Sequence, residues 1–500
     1  MQHGVAVEMR GIGKSFGAVR ALDHVDLTVC AGTLHAIVGE NGAGKTTLMR
    51  ILFGAIAPTD GTYVVADGPD RPFRSSAQAI WAGIGMVSQH YSIIPDLTCL
   101  ENLMLGAEPG WLIRRREAEA EAESLAQRMG FQFAWDEPAS TLSPAAAQKL
   151  EILKLLWRKS RVMILDEPTA MLSPSDGDAL FASLKKLVAD GATVILVTHR
   201  LPEVMEHCSH VTVLRGGQRV ADLPVRETNA SQLAELIVGH AVPESAPHAA
   251  PDRADPLLTV HHLTVLGDRG EEAVRSASFM VRKGEVLGIA GVDGSGQREL
   301  FETLIGTRSR LTGEAMLGAQ SLFDQTVAER INMGLRVIPE DRHEEAVIES
   351  WSLESNGALG LQRLMPFGRG AWIQTEGRRQ SVQEMAERLD TQFDHLGTPI
   401  SSLSGGNQQR FVAGRALYLT PRLVLAFQPA RGLDIEATRR LYEAFYEECQ
   451  RGAGVLVVSF DLDELLKYTD RVIVMNGGRL SQPHFMDRGE IGRLMVGVTA

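Results

Sequence analysis

Cysteine is scarce, with four residues in 500: Cys30, Cys99, Cys208 and Cys449. They form no CxxC pair and fall far below the density of a disulfide scaffold, so reduced, buried thiols and a cytosolic setting are expected. No run approaches the roughly 18 consecutive apolar residues that a membrane helix requires. The opening MQHGVAVEMRGIGKSFG also lacks an apolar signal core. Any membrane role is therefore expected to come through a partner. Positive charge is short as well: 50 lysines and arginines face 62 acidic residues, a net −12, which gives no general attraction to phosphate backbones or anionic lipid. Nucleic acid is not an expected partner.

What the chain does have is length and repetition. Five hundred residues exceed any single core at roughly 100–200 residues per domain, and 44% hydrophobic with 22% charged residues is ordinary globular composition. Laid beside each other, VDLTVCAGTLHAIVGENGAGKTTLMRILFG at 25–54 and ASFMVRKGEVLGIAGVDGSGQRELFETLIG at 277–306 show strand, glycine loop and helix in the same order. The chain is a tandem duplication. Residues 242–256, VPESAPHAAPDRADP, carry four prolines and few large apolar groups, which predicts a linker between domains at 1–241 and 257–500. Each copy alternates apolar runs such as VMILDEP and TVILVTH with helical stretches such as AAAQKLEILKLLWR. That pattern predicts an α/β fold, a largely parallel sheet covered by helices, twice.

The strongest local signal is GENGAGKTT: Gly39, Glu40, Asn41, Gly42, Ala43, Gly44, Lys45, Thr46 and Thr47. It fits the phosphate-loop pattern GxxxxGK followed by Ser or Thr, and it lies after the apolar run LHAIV and before the helix-like TLMRILFG. Glycines let backbone N–H groups close on phosphate oxygens, and the helix start adds its positive end. Lys45 is expected to reach the β- and γ-phosphates of ATP. Thr46 is expected to offer its hydroxyl to Mg²⁺, and Asp166, closing the apolar VMIL, to hold that ion through water.

With SQH at 88–90, ILDEPTA at 164–170, THR at 198–200 and LSGGNQQ at 403–409 added, the chain resembles the twin-cassette ATPase subunits of ATP-binding-cassette importers for sugars and nucleosides. The resemblance runs through nearly all of the sequence and both halves. It implies two tandem cassettes, each a phosphate-loop core sheet with helices plus a helical subdomain. It further implies that Glu167 is the general base for the attacking water, that His199 contacts the γ-phosphate, and that Gln89 senses Mg²⁺ and faces the permease. Phe16 resembles the aromatic that stacks on adenine, although an aromatic in a strand-like segment is more commonly core.

In this family nucleotide lies between two cassettes arranged head to tail, the phosphate loop of one facing the signature segment of the other. The second copy reads GVDGSGQR at 291–298, with Gln297 for the lysine and Arg298 for the hydroxyl. Phe427 and Gln428 stand where Asp and Glu are needed, Phe460 where the switch histidine belongs, and Glu340 in place of the glutamine. A neutral amide is no base, so hydrolysis is not expected there. The signatures show the reverse: LSPAAAQ at 142–148 places Pro144, Ala145 and Ala146 where close backbone approach is needed, with Ser173 for aspartate downstream. LSGGNQQ is intact, with Ser404, Gly405, Gly406 and Asn407 facing the phosphate and Asp434 close by. One hydrolytic and one non-hydrolytic composite site follow, and GVDGSGQ, IPEDR and QPARGLD are most similar to the nucleoside branch.

The expected partners are two integral-membrane permease subunits and, through them, an extracytoplasmic solute-binding protein. The unlike loops after Gln89 and Glu340, where the family docks the permease's coupling helices, suit two non-identical permeases. Two rivals fit less well. A soluble twin-cassette ATPase acting on the ribosome usually resembles two complete sites joined by a long charged helical linker. A DNA-repair ATPase would show zinc-binding cysteine pairs. LIRRREAEAEAE at 112–123 reads as a solvated helix face.

Overall fold

The structure, a computed structural model, describes residues 4–239 and 255–495 apart from 18, 41, 67, 89–91, 108–113, 143, 170, 171, 173, 199, 269, 370 and 371. The chain divides into two compact units, Met1–Pro243 and Glu244–Ala500. Residues 242–254 of the expected linker lie outside the described residues, and Pro256 already opens a strand, Pro256–Leu266.

Each unit is built on a six-stranded sheet with the same order. In the first unit it runs Ile84–Val87, Val162–Asp166, Thr193–Val197, Leu34–Gly39, His210–Arg215, Gln218–Pro224, parallel until the last pair. In the second it runs Leu335–Ile338, Leu423–Phe427, Gly454–Val458, Val286–Gly291, Arg471–Asn476, Arg479–Ser481. Val162–Asp166, Thr193–Val197 and Leu34–Gly39, and their counterparts Leu423–Phe427, Gly454–Val458 and Val286–Gly291, are buried at every position, which is why they read as unbroken apolar runs rather than alternating ones.

One face of each parallel sheet is covered by an antiparallel sheet: Val19–Cys30, Val5–Phe16 and Asp60–Val65 in the first unit, and Glu272–Arg282, Pro256–Leu266, Thr312–Leu317 and Gln320–Ser321 in the second. Between them lie Leu48, Leu52 and Ile164 in the first unit and Leu300, Leu304 and Leu425 in the second. On the other face of the second sheet pack Phe411, Tyr442 and Phe445. A helical part is set between strands of each core, Cys99–Met104, Arg115–Met129 and Pro144–Trp157 in the first unit and Leu353–Gly357, Thr375–Arg388 and Gly405–Ala416 in the second. Helix Arg115–Met129 buries Ala118, Ala122, Ala126 and Met129 and turns its charged residues outward, which agrees with the solvated face expected of that segment. Cys99, Cys208 and Cys449 are buried free thiols and Cys30 is half-buried.

Candidate active site

In the first unit the buried strand Leu34–Gly39 runs into the glycine loop, and helix Lys45–Leu52 begins directly after Gly44. The loop needs glycine at two points. A Cβ at Gly39 would collide with the Leu214 carbonyl of the neighbouring strand, and Gly44 has φ +96° with Leu22 Cδ2 2.5 Å from where a Cβ would stand. Lys45 is 6% exposed, and its ammonium donates to the Gly39 carbonyl at 2.7 Å and the Glu40 carbonyl at 2.9 Å. The lysine therefore lies along the loop whose N–H groups would cradle phosphate.

Thr46 Oγ1 donates to Asp166 Oδ2 at 3.0 Å, joining the helix start to the end of strand Val162–Asp166. Burial raises the Asp166 carboxyl above its usual range, and the Thr46 hydrogen bond pulls it part of the way back. A hydroxyl and a carboxylate held together at the mouth of a phosphate loop are the hard oxygen donors that Mg²⁺ takes, so the donor set fits that ion. Glu167 follows with φ +50°, a left-handed backbone that a glutamate rarely adopts, and its N–H donates to Val197 O at 2.8 Å. That turn separates the Glu167 side chain from the buried run before it. His199, Gln89 and Asn41 lie outside the described residues, as do Ser143 and Ser173. The flanks of His199 are fixed: Thr198 Oγ1 donates to Glu203 at 3.3 Å and accepts from the Arg200 N–H at 3.0 Å. Phe16 is 50% exposed at the end of its strand, with Lys14 Nζ 5.1 Å from the ring centre, so it is not a core residue.

The second unit repeats this backbone with different chemistry. Gly296 precedes helix Gln297–Ile305 with φ +106°, and Gln428 has φ +48° with its N–H on Val458 O at 2.7 Å. The strained turn persists although its side chain is an amide. Gln297 is 1% exposed and its Nε2 donates to Val292 O at 3.2 Å, so an uncharged amide lies along the loop in place of the ammonium. Arg298 pairs with Glu302 at 3.1 Å, Glu345 at 3.2 Å and Glu340 at 3.8 Å. Phe427 is 2% exposed and meets Phe301 and Phe460 edge to face, with centroids 5.3 and 5.9 Å away. A hydrocarbon cluster and an arginine network therefore occupy the positions of the carboxylate, the histidine and the cation-binding hydroxyl.

The signature segment LSGGNQQ opens helix Gly405–Ala416, with Ser404 as its cap accepting from Asn407 N. Ser404 is exposed, and Gly405 and Gly406 are half-buried. Asp434 caps helix Ile435–Gln450, accepting from Ala437 N at 2.7 Å, and pairs with Arg410 at 3.2 Å. Its local work is to join two helices.

Sequence reasoning missed a pair of buried clamps. Asn102 Nδ2 donates to the carbonyls of Ile94, Leu97 and Thr98, while its Oδ1 accepts from Ile94 N. Asn356 makes the same four bonds with Ile348, Trp351 and Ser352. Each clamp holds the loop that follows the position of Gln89 or Glu340. The repeated asparagine after a helix-capping Thr98 or Ser352 was the available signal.

The ABC transporter family matches residues 22–170 and 274–430, one segment in each unit. The chain belongs to the ABC transporter family. Its twin-cassette architecture is shared with relatives that it matches nearly end to end. A glucose import ATP-binding protein of Haloferax volcanii is 36% identical over 98% of this chain and 96% of its own length. The guanosine import ATP-binding protein NupO of Bacillus subtilis is also 36% identical, over 99% of this chain and 98% of its own. A ribose import ATP-binding protein of Streptomyces avermitilis is 35% identical over 97% and 90%. Among solved structures, an archaeal ribosome recycling factor crystallised with a ribosomal stalk protein has a TM-score of 0.65 over 97% of this ABC chain and 92% of its own, at 17% identity. That likeness is one of fold.

Proposed function

We propose that the chain hydrolyses ATP to drive uptake of a small sugar or nucleoside through a separate membrane permease, and that it does so at one of two composite sites. The observation that carries the reading is the contrast between Lys45, Thr46, Asp166 and Glu167 on one phosphate loop and Gln297, Arg298, Phe427 and Gln428 on the other. The import relatives named above, matched over almost their whole length, support uptake as the direction. Their substrates are a hexose, a purine nucleoside and a pentose, so the shared class is a small polyhydroxylated solute.

Lys45 and the loop N–H groups bind the β- and γ-phosphates, and Phe16 stacks on the adenine ring. Thr46 and Asp166, with Gln89, hold Mg²⁺, which when bound neutralises phosphate-oxygen charge. Glu167 accepts the proton of the attacking water as its oxygen bonds to the γ-phosphorus and the bond to ADP breaks. His199 and, from the second cassette, Ser404, Gly405, Gly406 and Asn407 donate to the transferring phosphoryl group, with Asp434 beside them. Loss of the γ-phosphate removes the bridge between the cassettes, which part and move the permease.

Two permease subunits would dock on the unlike loops after Gln89 and Glu340, with a solute-binding protein engaging them from the other side, so that the chain lies peripherally on the cytoplasmic face. Among the described residues no helix is long and apolar enough to cross a membrane, which is compatible with that division of labour. The test is ATP-driven uptake of ribose, glucose and guanosine in vesicles carrying the assembled complex. Uptake of none of them, with ATPase activity undiminished, contradicts the solute class. ATP turnover with no vesicle uptake and no associated membrane protein contradicts import itself.

A further inference from the structure

A cation lies against the start of the signature helix in the second unit. Arg342 opens the short helix Arg342–Glu345, and its Nε donates to Gln408 Oε1 at 3.1 Å. Gln408 is 4% exposed and held in place, because its own Nε2 donates to the carbonyls of Ile400 and Leu403 at 3.1 and 3.2 Å. The far end of the guanidinium rests on Gly405, where a Cβ would stand 2.7 Å from Arg342 Nη2. The arginine is thus fixed beside the first residues of helix Gly405–Ala416, the end at which unpaired N–H groups already make a positive field.

That charge is not offset within the unit. Among the described residues Arg342 makes no ion pair. The adjacent Asp341 is engaged as a helix cap, accepting from His343 N at 2.8 Å and Glu344 N at 3.2 Å. Burial pushes the pKa of the half-buried guanidinium down; Asp341 raises it, and the like charge of Arg431 lowers it further. A cation at a helix N-terminus is unfavourable alone and becomes favourable once an anion meets the same helix end. The anion that the proposed hydrolysis brings there is the γ-phosphate of ATP.

The same contact explains a glycine. Neither Gly405 nor Gly406 has a positive φ, so the backbone itself requires glycine at neither. At Gly406 a Cβ would meet only the Gly432 carbonyl oxygen, 3.3 Å away, whereas at Gly405 it would collide with the guanidinium. The first copy changes all the members of this group together, with Pro144 in the position of Gly405, Ala147 in that of Gln408 and Tyr91 in that of Arg342.

We propose that Arg342 is a positioning residue for phosphoryl transfer: bonded to Gln408 and seated on Gly405, it holds the start of the signature helix so that Ser404 and the N–H groups after it meet the γ-phosphate in one fixed, positively charged arrangement. Gly405 is glycine because a side chain there would displace the guanidinium. The inference rests on the proposed use of this signature in hydrolysis and adds the residue that fixes it.

The test is ATP turnover by the complex assembled with its permease, for Arg342→Met, Gly405→Ala and the double variant. Arg342→Met is expected to lower kcat by about tenfold or more and to change KM for ATP by less than about twofold, the pattern of an interaction realised in the transition state. Gly405→Ala should cost about as much, and the double variant should fall no more than about twofold below either single one, because both changes remove the same contact. Arg342→Met keeps the apolar stem, so the melting temperature of the isolated chain should be unchanged or raised. Additive losses in the double variant, a raised KM with kcat intact, or a lowered melting temperature overturns the inference. If Ser404→Arg costs turnover and Arg342→Met does not, the inference falls alone. If neither costs turnover, the assignment of this signature to the hydrolytic site falls and takes the inference with it.

Discussion

The two halves of this chain share a fold strand for strand and differ where chemistry is done. Both sheets have the same strand order, both glycine loops enter a helix through a left-handed glycine, and both strand ends turn through a positive φ, at Glu167 and at Gln428. One half places an ammonium, a hydroxyl and two carboxylates on that frame. The other places an amide, an arginine bound to three glutamates and a cluster of phenyl rings. A scaffold built by backbone hydrogen bonds and apolar burial is therefore indifferent to whether its polar ends can hydrolyse anything. In the second half those ends have become packing and ion pairs that hold the unit together.

The sharpest way to break the contrast is Glu167→Gln. ATP turnover of the assembled complex is expected to fall by about 10²- to 10⁴-fold, the worth of a general base, and residual turnover near half would show that the Gln428 site is active. Next comes Ser404→Arg, expected to cost about 10²-fold by obstructing donors to the phosphoryl group, against Ala146→Arg, which should change turnover by no more than about twofold. Equal losses would contradict the pairing of the first phosphate loop with the second signature. Phe427→Ala should destabilise the second unit by about 3–5 kcal/mol, seen by calorimetry as a lowered second transition, because it empties a fully packed ring site.

Acid should separate the halves most gently. His35 in the first unit is buried 2.8 Å from Thr212 Oγ1 and stacked beside His210, and burial lowers its pKa from 6.5 to about 4. The unfolded chain then protonates first, so the first unit keeps its full stability above pH 6.5 and loses it as the pH falls towards 4, by about 2 kcal/mol at pH 5. Glu436 in the second unit is held down to about 2 by hydrogen bonds from Arg439 and Arg440, so its contribution is lost only as the pH falls from 4.5 towards 2. At pH 5 the first transition is expected to move by several degrees relative to pH 7.5 while the second stays, the Phe427→Ala shift serving to assign them; equal shifts would refute the assignment. His35→Leu should remove the difference.

Much of this was legible in the residues. VMILD, TVILV, LVLAF and GVLVV read as strands of a sheet covered by helices, and the substitutions at Gln297, Arg298, Phe427 and Gln428 could be read off by aligning the halves. Other features were not. The asparagine repeated in ENL and ESN marks the position, but that Asn102 and Asn356 are four-bond clamps could not be read from it, since a buried amide is chosen by carbonyls that only the folded loop assembles. The left-handed turn at Glu167 was invisible for the same reason: φ is set by the strand and helix on either side.

By itself, the sequence determined that there are two copies, where each phosphate loop begins, and which of them has the functional groups for hydrolysis, because those properties belong to residue types at fixed spacing along the chain. Only tertiary structure decided that Arg298 would reach Glu340 and Glu345, and that Phe427 would find Phe301 and Phe460. It also decided that Arg336 and Arg415 would line one cavity with no ion pair to either among the described residues. These depend on which side chains, distant in sequence, are brought within a few ångströms, and on which of them burial deprives of water.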